Sequence, residues 1–195
     1  NIEIPEGYNL DLASTRKEYY PYPGALPEVE KTNIFEDLFR RDFTVNALAL
    51  NLSPENWGEL LDFFQGRKDI SNKTLRTMHR FSFLDDPTRI IRGIRLSVKL
   101  NFKIETETER LMKEALNMGN FTKLSLSRIF TAFKNLFKNK IDENFLEKMK
   151  KFNIFKLIEL EIDISEEKIS KLESLEYYLE YFTKKDYNIK SWILR

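Results

Sequence analysis

From Gly66 onward the apolar residues of this chain recur at intervals of three and four, which commits most of its length to amphipathic helices. Ile90, Ile91, Ile94 and Val98 form one such stripe. Ile129, Phe130, Phe133, Leu136 and Phe137 form a second, and Ile169, Leu172, Leu175, Leu179 and Phe182 a third. Stripes of this kind are core faces rather than cofactor boxes. Thr106-Glu107-Thr108-Glu109 is a capping-box pattern ahead of Leu111, Met112 and Ala115. The first 65 residues are mixed. Asn9 to Ala13 alternates weakly and suggests a strand. Tyr19 to Pro27 carries Pro21, Pro23, Gly24 and Pro27 and is a loop, with three tyrosines suited to packing or, as the less common role, to stacking on bases. Glu36 to about Leu50 reads as a helix with an apolar end, and Leu60 to Phe64 as a short strand closed by Gly66. The fold class expected is an α+β N-terminal part followed by an all-α remainder.

At 42% apolar, 195 residues are enough to bury a real core. No apolar run approaches the roughly 20 residues that span a bilayer. The absence of cysteine excludes disulfides and thiolate metal sites and fits a reducing, cytoplasmic setting. The net charge of +1 hides an uneven spread. Residues 1–65 carry 5 basic and 12 acidic side chains, net −7, whereas the block 66–140 carries net +10. Residues 141–195 are slightly acidic, net −2. A basic middle beside an acidic first third suits a polyanion held near carboxylates.

Asp85-Asp86-Pro87-Thr88-Arg89 has the composition of a helix start, since Asp is a favoured N-cap and Pro a favoured first residue. Arg89, Arg92, Arg95 and Lys99 follow at helical spacing and so share a face. A carboxylate at the head of a cation row suits an anionic, hydrogen-bonding ligand such as a nucleotide. Taken alone, the same pattern is equally a cap followed by a solvated charge stripe.

Four segments decide between these readings. They are Asp11-Leu12-Ala13-Ser14-Thr15-Arg16, then Asp37 to Ala47 with its RRDFTVNA, then Asp62-Phe63-Phe64-Gln65-Gly66-Arg67-Lys68-Asp69-Ile70, then DDPTRIIRGIR from Asp85. In this order and spacing they resemble the class II, bacterial-type tRNA nucleotidyltransferase and poly(A) polymerase family, over residues 8 to 138. The resemblance implies a partial nucleotidyltransferase head over residues 1–65. It implies a helical nucleotide-binding neck over 66–140 and a helical body over 141–195. The implied reaction transfers AMP, with CMP as a second candidate, from the triphosphate to the 3′ end of tRNA around Mg²⁺.

The resemblance also assigns roles. Asp11 falls at the family's third metal carboxylate. Arg41 offers a planar fork to phosphate. Asp42 and Asn46, four apart, would share a helical face and bond ribose hydroxyls. Asp86 and Arg89 would read the base. Cytosine and adenine each present an amine donor beside a ring-nitrogen acceptor, so a carboxylate and a guanidinium would take C and A and refuse U and G. Arg92 and Arg95 would reach phosphate or stack on the base. His79, between basic residues, reads as a surface or capping residue. The family's upstream D-x-D pair does not precede Asp11, so the sequence reads as a fragment, or as half of a split enzyme whose second chain carries that pair. Relatives often have two glycines where this chain has Gln65-Gly66, which makes a stiffer link. Poly(A) synthesis, a non-catalytic RNA- or nucleotide-binding module, and a helical protein-interaction domain are the alternatives. The last leaves RRDFTVNA unexplained.

Overall fold

The computed structural model describes residues 11–119, 124–138 and 142–154. The chain divides into two compact units, residues 1–136 and 137–195. In the first, β1 (Arg16–Tyr19) pairs antiparallel with β2 (Glu28–Lys31) across the proline-rich loop. Then follow α1 (Ile34–Phe39), a 3-10 turn at Thr44–Asn46, β3 (Ala49–Leu50), a 3-10 turn at Pro54–Asn56 and β4 (Leu60–Leu61). β3 and β4 pair antiparallel. Beyond them come α2 (Gly66–Ser71), β5 (Thr74–Leu75), α3 (Ser82–Asp85), α4 (Thr88–Lys99), β6 (Lys103–Ile104), α5 (Thr106–Asn117) and α6 (Leu126–Leu136). The α+β start and helical continuation expected from the sequence are present. Among the described residues no helix is long and apolar enough to cross a membrane.

Several local expectations are corrected. In the described part of the expected first strand, residues 11–13 have no regular structure, and the ladder starts at Arg16. The helix expected over 36–50 stops at Phe39. Phe43 is extended, at φ −135° and ψ 149°, and bridges Thr77. The chain turns because side chains compete for the backbone. Asp42 Oδ1 accepts from the Phe43 amide at 3.0 Å, while the Thr44 amide donates to the Arg76 carbonyl at 3.0 Å and Thr44 Oγ1 to Asp69 Oδ2 at 2.6 Å. The region after Gly66 is not wholly helical either, since β5 and β6 pair in parallel. The cap of α5 is Glu105, one residue before the expected box, accepting from the Thr108 amide at 2.9 Å. The stripe at Ile169–Phe182 lies outside the described residues.

The core of this unit centres on Phe43, fully buried between Phe83 and α4. Ile90, Ile91 and Ile94 face it, as their spacing required, with Leu38, Leu75 and Met112 around them. Gly93 makes that packing feasible. A Cβ there would meet Phe43 Cζ at 2.7 Å. Gly66 plays the same part at the start of α2, where a Cβ would fall 2.4 Å from the Thr44 carbonyl. In the second unit, α7 (Glu143–Lys151) is capped by Asp142, which accepts from the Phe145 amide at 2.9 Å. Phe145, Leu146 and Met149 are its buried face, and the Phe137 ring lies 5.9 Å from that of Phe145.

Candidate nucleotide site

The end of α1 and the start of α4 meet in one polar corner. Asp37, near the end of α1, accepts from the Arg16 amide, from Arg40 and from Arg41 Nη2 at 3.1 Å. Burial opposes its charge, but the Arg16 amide and the two guanidinium groups outweigh it and hold the carboxyl below its ordinary range. Arg41 keeps much of its guanidinium in solvent, whereas Asp42 is 3% exposed. Asp42 Oδ1 accepts from Asn46 Nδ2 at 3.0 Å. The two residues thus come together as the sequence reading required, through the 3-10 turn rather than along an α-helix. Asp42 Oδ2 lies 2.9 Å from Arg92 Nη2, yet it accepts no hydrogen bond. The two charges pair without N–H alignment, so a buried carboxylate oxygen keeps its acceptor capacity. Arg92 itself is about half exposed.

Asp86 caps α4. Its Oδ1 accepts from the Thr88 amide at 3.0 Å, from Thr88 Oγ1 at 2.6 Å and from Arg128 Nη2 at 3.0 Å. Arg128, on α6, also donates through Nη1 to the Gly24 carbonyl at 2.6 Å. The Gly24 amide in turn donates to the carbonyls of Leu84 and Asp85, both at 3.2 Å. The proline-rich loop is therefore fastened over the α3–α4 corner. The sequence reading gave Arg128 no part in the site, because its partners lie 42 and 104 residues away.

Arg89 is 4% exposed, so the arginine row is not one solvated stripe. Its Nη1 donates to Ser82 Oγ at 2.7 Å, and its Nη2 to the Arg40 carbonyl at 2.9 Å and to Tyr20 Oη at 3.3 Å. Its guanidinium also lies over the Tyr20 ring, 5.9 Å from the centroid. Arg95 is half-buried farther along α4. His79 is neither a surface nor a capping residue. It stacks on Phe39 at 5.2 Å, and burial, aided by the Arg89 charge, pushes its pKa down to about 4. Its Nε2 lies 3.9 Å from Asp85 Oδ2, but a neutral imidazole at that distance makes no ion pair near pH 7. Burial raises the Asp85 carboxyl against the opposing pull of Arg89.

One corner thus gathers Arg41, Asp42, Asn46, Asp86, Arg89 and Arg92. Asp11 is exposed and stands apart from every contact just described. Among the described residues no three carboxylate or imidazole groups converge on a metal position. Asp11 and its described neighbours do not by themselves form a divalent-cation site.

Residues 2–76 match the poly A polymerase head domain. The chain is 48% identical over 128 residues to the A-adding tRNA nucleotidyltransferase of Geobacter sulfurreducens, covering 66% of this chain and 14% of that one. It is 39% identical over 150 residues to the A-adding enzyme of Aquifex aeolicus, covering 77% and 18%. The solved structure of an apo form of a CCA-adding enzyme superposes with a TM-score of 0.78 at 35% identity, over 88% of this chain and 41% of that one. The chain belongs to the class II tRNA nucleotidyltransferase family. It spans well under half the length of these members. The polar corner joins RRDFTVNA, which lies within the head-domain match, to DDPTR, which lies beyond it. Two of the four segments that carried the family likeness in the sequence meet here in space.

Proposed function

We propose that this chain serves a nucleotidyltransferase that adds AMP, with CMP as a second substrate, to the 3′ end of tRNA in the cytoplasm. The observation that carries this reading is the juxtaposition of Asp42 and Arg92 with Asp86 and Arg89 in one corner. Residues 1–65 are the head, 66–140 the neck and 141–195 the body. Arg41 holds phosphate. Asp42 and Asn46, joined by a hydrogen bond, take the ribose hydroxyls. All three contacts to Asp86 fall on Oδ1, which leaves Oδ2 to accept a base amine. Arg89 has three of its five N–H bonds committed to protein and offers the others to a ring nitrogen. Arg92 and Arg95 serve phosphate or stack on the base. Mg²⁺ supplies activation of the attacking hydroxyl when bound. Asp11 contributes one of its ligands, and the others come from carboxylates outside the described residues, a second chain being one source.

The matched family description also favours poly(A) synthesis, a second reading that uses the same nucleotide site and differs in acceptor and product length. One assay separates them. The full-length protein is given Mg²⁺, each nucleotide singly, and tRNA ending before CCA, after C or after CC, beside an unrelated RNA. Addition of A or C to tRNA alone, refusal of U and G, and loss of that discrimination in Asp86→Ala and Arg89→Ala are expected. Long A tails on any RNA would favour poly(A) synthesis. RNA binding without any incorporation would leave only a binding module.

A further inference from the structure

Arg89 is not held by its own helix. Its position is set by a closed polar circuit through three separate segments. Arg40 Nη1 donates to Glu18 Oε1 at 2.8 Å, and Tyr20 Oη donates to Glu18 Oε2 at 2.8 Å. Arg89 Nη2 then donates to Tyr20 Oη and to the Arg40 carbonyl, which closes the loop. The direction of each bond is forced. A carboxylate only accepts, so the phenol must donate to Glu18 and turn its lone pairs to Arg89. The surroundings are largely dry, with the Glu18 side chain 8% exposed, so an unmet group here is costly. The phenol also stays protonated, because burial first, and then the Glu18 charge, pushes its pKa up to about 12 against the pull of Arg89.

We propose that Tyr20 is a positioning residue for nucleotide selection: by hydroxyl and ring it fixes which N–H bonds of Arg89 face the incoming base. This rests on the base-reading role proposed above for Arg89. Selection between donor and acceptor patterns depends on where a guanidinium points, not merely on its presence. Removing the hydroxyl leaves Glu18 Oε2 and one Arg89 N–H unmet, and the fork, held then only at Ser82 and the Arg40 carbonyl, can tilt from its native aim. The loss then falls on nucleotides that Arg89 reads correctly, not on all nucleotides alike.

The test is the ratio of kcat/KM for ATP to that for UTP, measured on the full-length protein with a tRNA acceptor. Wild type is compared with Tyr20→Phe, which keeps the ring, and with Glu18→Gln, which keeps the phenol but leaves one neutral oxygen where Arg40 and Tyr20 each had their own. Both variants should lower the ratio, Tyr20→Phe by about tenfold, the effect of losing a hydrogen bond to a charged group. The fall should come mostly through KM for ATP. A purely structural role would depress both nucleotides together and leave the ratio as in wild type, and that result in either folded variant overturns the inference. A wild type that does not prefer ATP to UTP would instead overturn the base-reading role itself, and this inference with it.

Discussion

At the residue scale, the site depends on side chains whose partners are far away in sequence. Arg128 is the plainest case. Replacing it with Ala removes the ion pair to Asp86 and the donors to the Gly24 carbonyl, and should destabilise the protein by about 2 kcal/mol, read by denaturant melts. His79 and Tyr20 give opposite pH signatures. The folded chain keeps His79 neutral down to about pH 4, whereas the unfolded chain takes up that proton near 6.5. Its contribution is therefore present above pH 6.5 and should fade between 6.5 and 4, by on the order of 3 kcal/mol. As the chain's lone histidine, it can be titrated by NMR without overlap. Tyr20 is raised to about 12, so stability tied to it should hold below pH 10 and be lost as the pH rises from 10 to 12. Asp86 was legible in the sequence because a cap is a local signal. Tyr20, Glu18 and Arg128 were not, because nothing local marks a residue that acts on a helix 42 or 69 positions away.

At the element scale, two glycines fix how closely helices approach the RRDFTVNA turn. Gly93→Ala sets a methyl against the Phe43 ring, and Gly66→Ala sets one against the Thr44 carbonyl. Each should lower stability by about 1–3 kcal/mol in thermal or denaturant unfolding, with Gly66 the worse, since a backbone neighbour gives less than a side chain. Lys73 follows α2 with φ 49°, a left-handed position. Lys73→Gly should raise stability by about 0.5–1 kcal/mol. The long helix 88–99 was legible from its stripe and its start. The break at Phe39 was not. Val45, Ala47, Leu48 and Leu50 continue a plausible helical pattern, and only the partners Asp69 and Arg76, supplied by the fold, draw Thr44 out of it. Strands two residues long, such as β5 and β6, are too short for any period to register.

At the scale of the whole molecule, the family was legible because RRDFTVNA and DDPTRIIRGIR are long signatures in a set order and spacing, and the fold brings the two together. The basic block, net +10 over residues 66–140, belongs to the same picture. If tRNA lies along it, affinity measured by fluorescence anisotropy should fall steeply from 50 to 200 mM salt, with a slope of about −0.7 to −0.9 per phosphate neutralised. A flat response would remove the basic block from the RNA-binding surface.

The bond from Arg128 to the Gly24 carbonyl closes a separation of 104 residues. During synthesis the proline-rich loop emerges first, and its fastening follows only after roughly 5–20 s of further translation. Until then Asp86 has its cap contacts but lacks its guanidinium partner. The polar corner is thus finished late, after the helix that carries it, and a nascent chain halted before α6 would hold Asp86 without the guanidinium that clasps it.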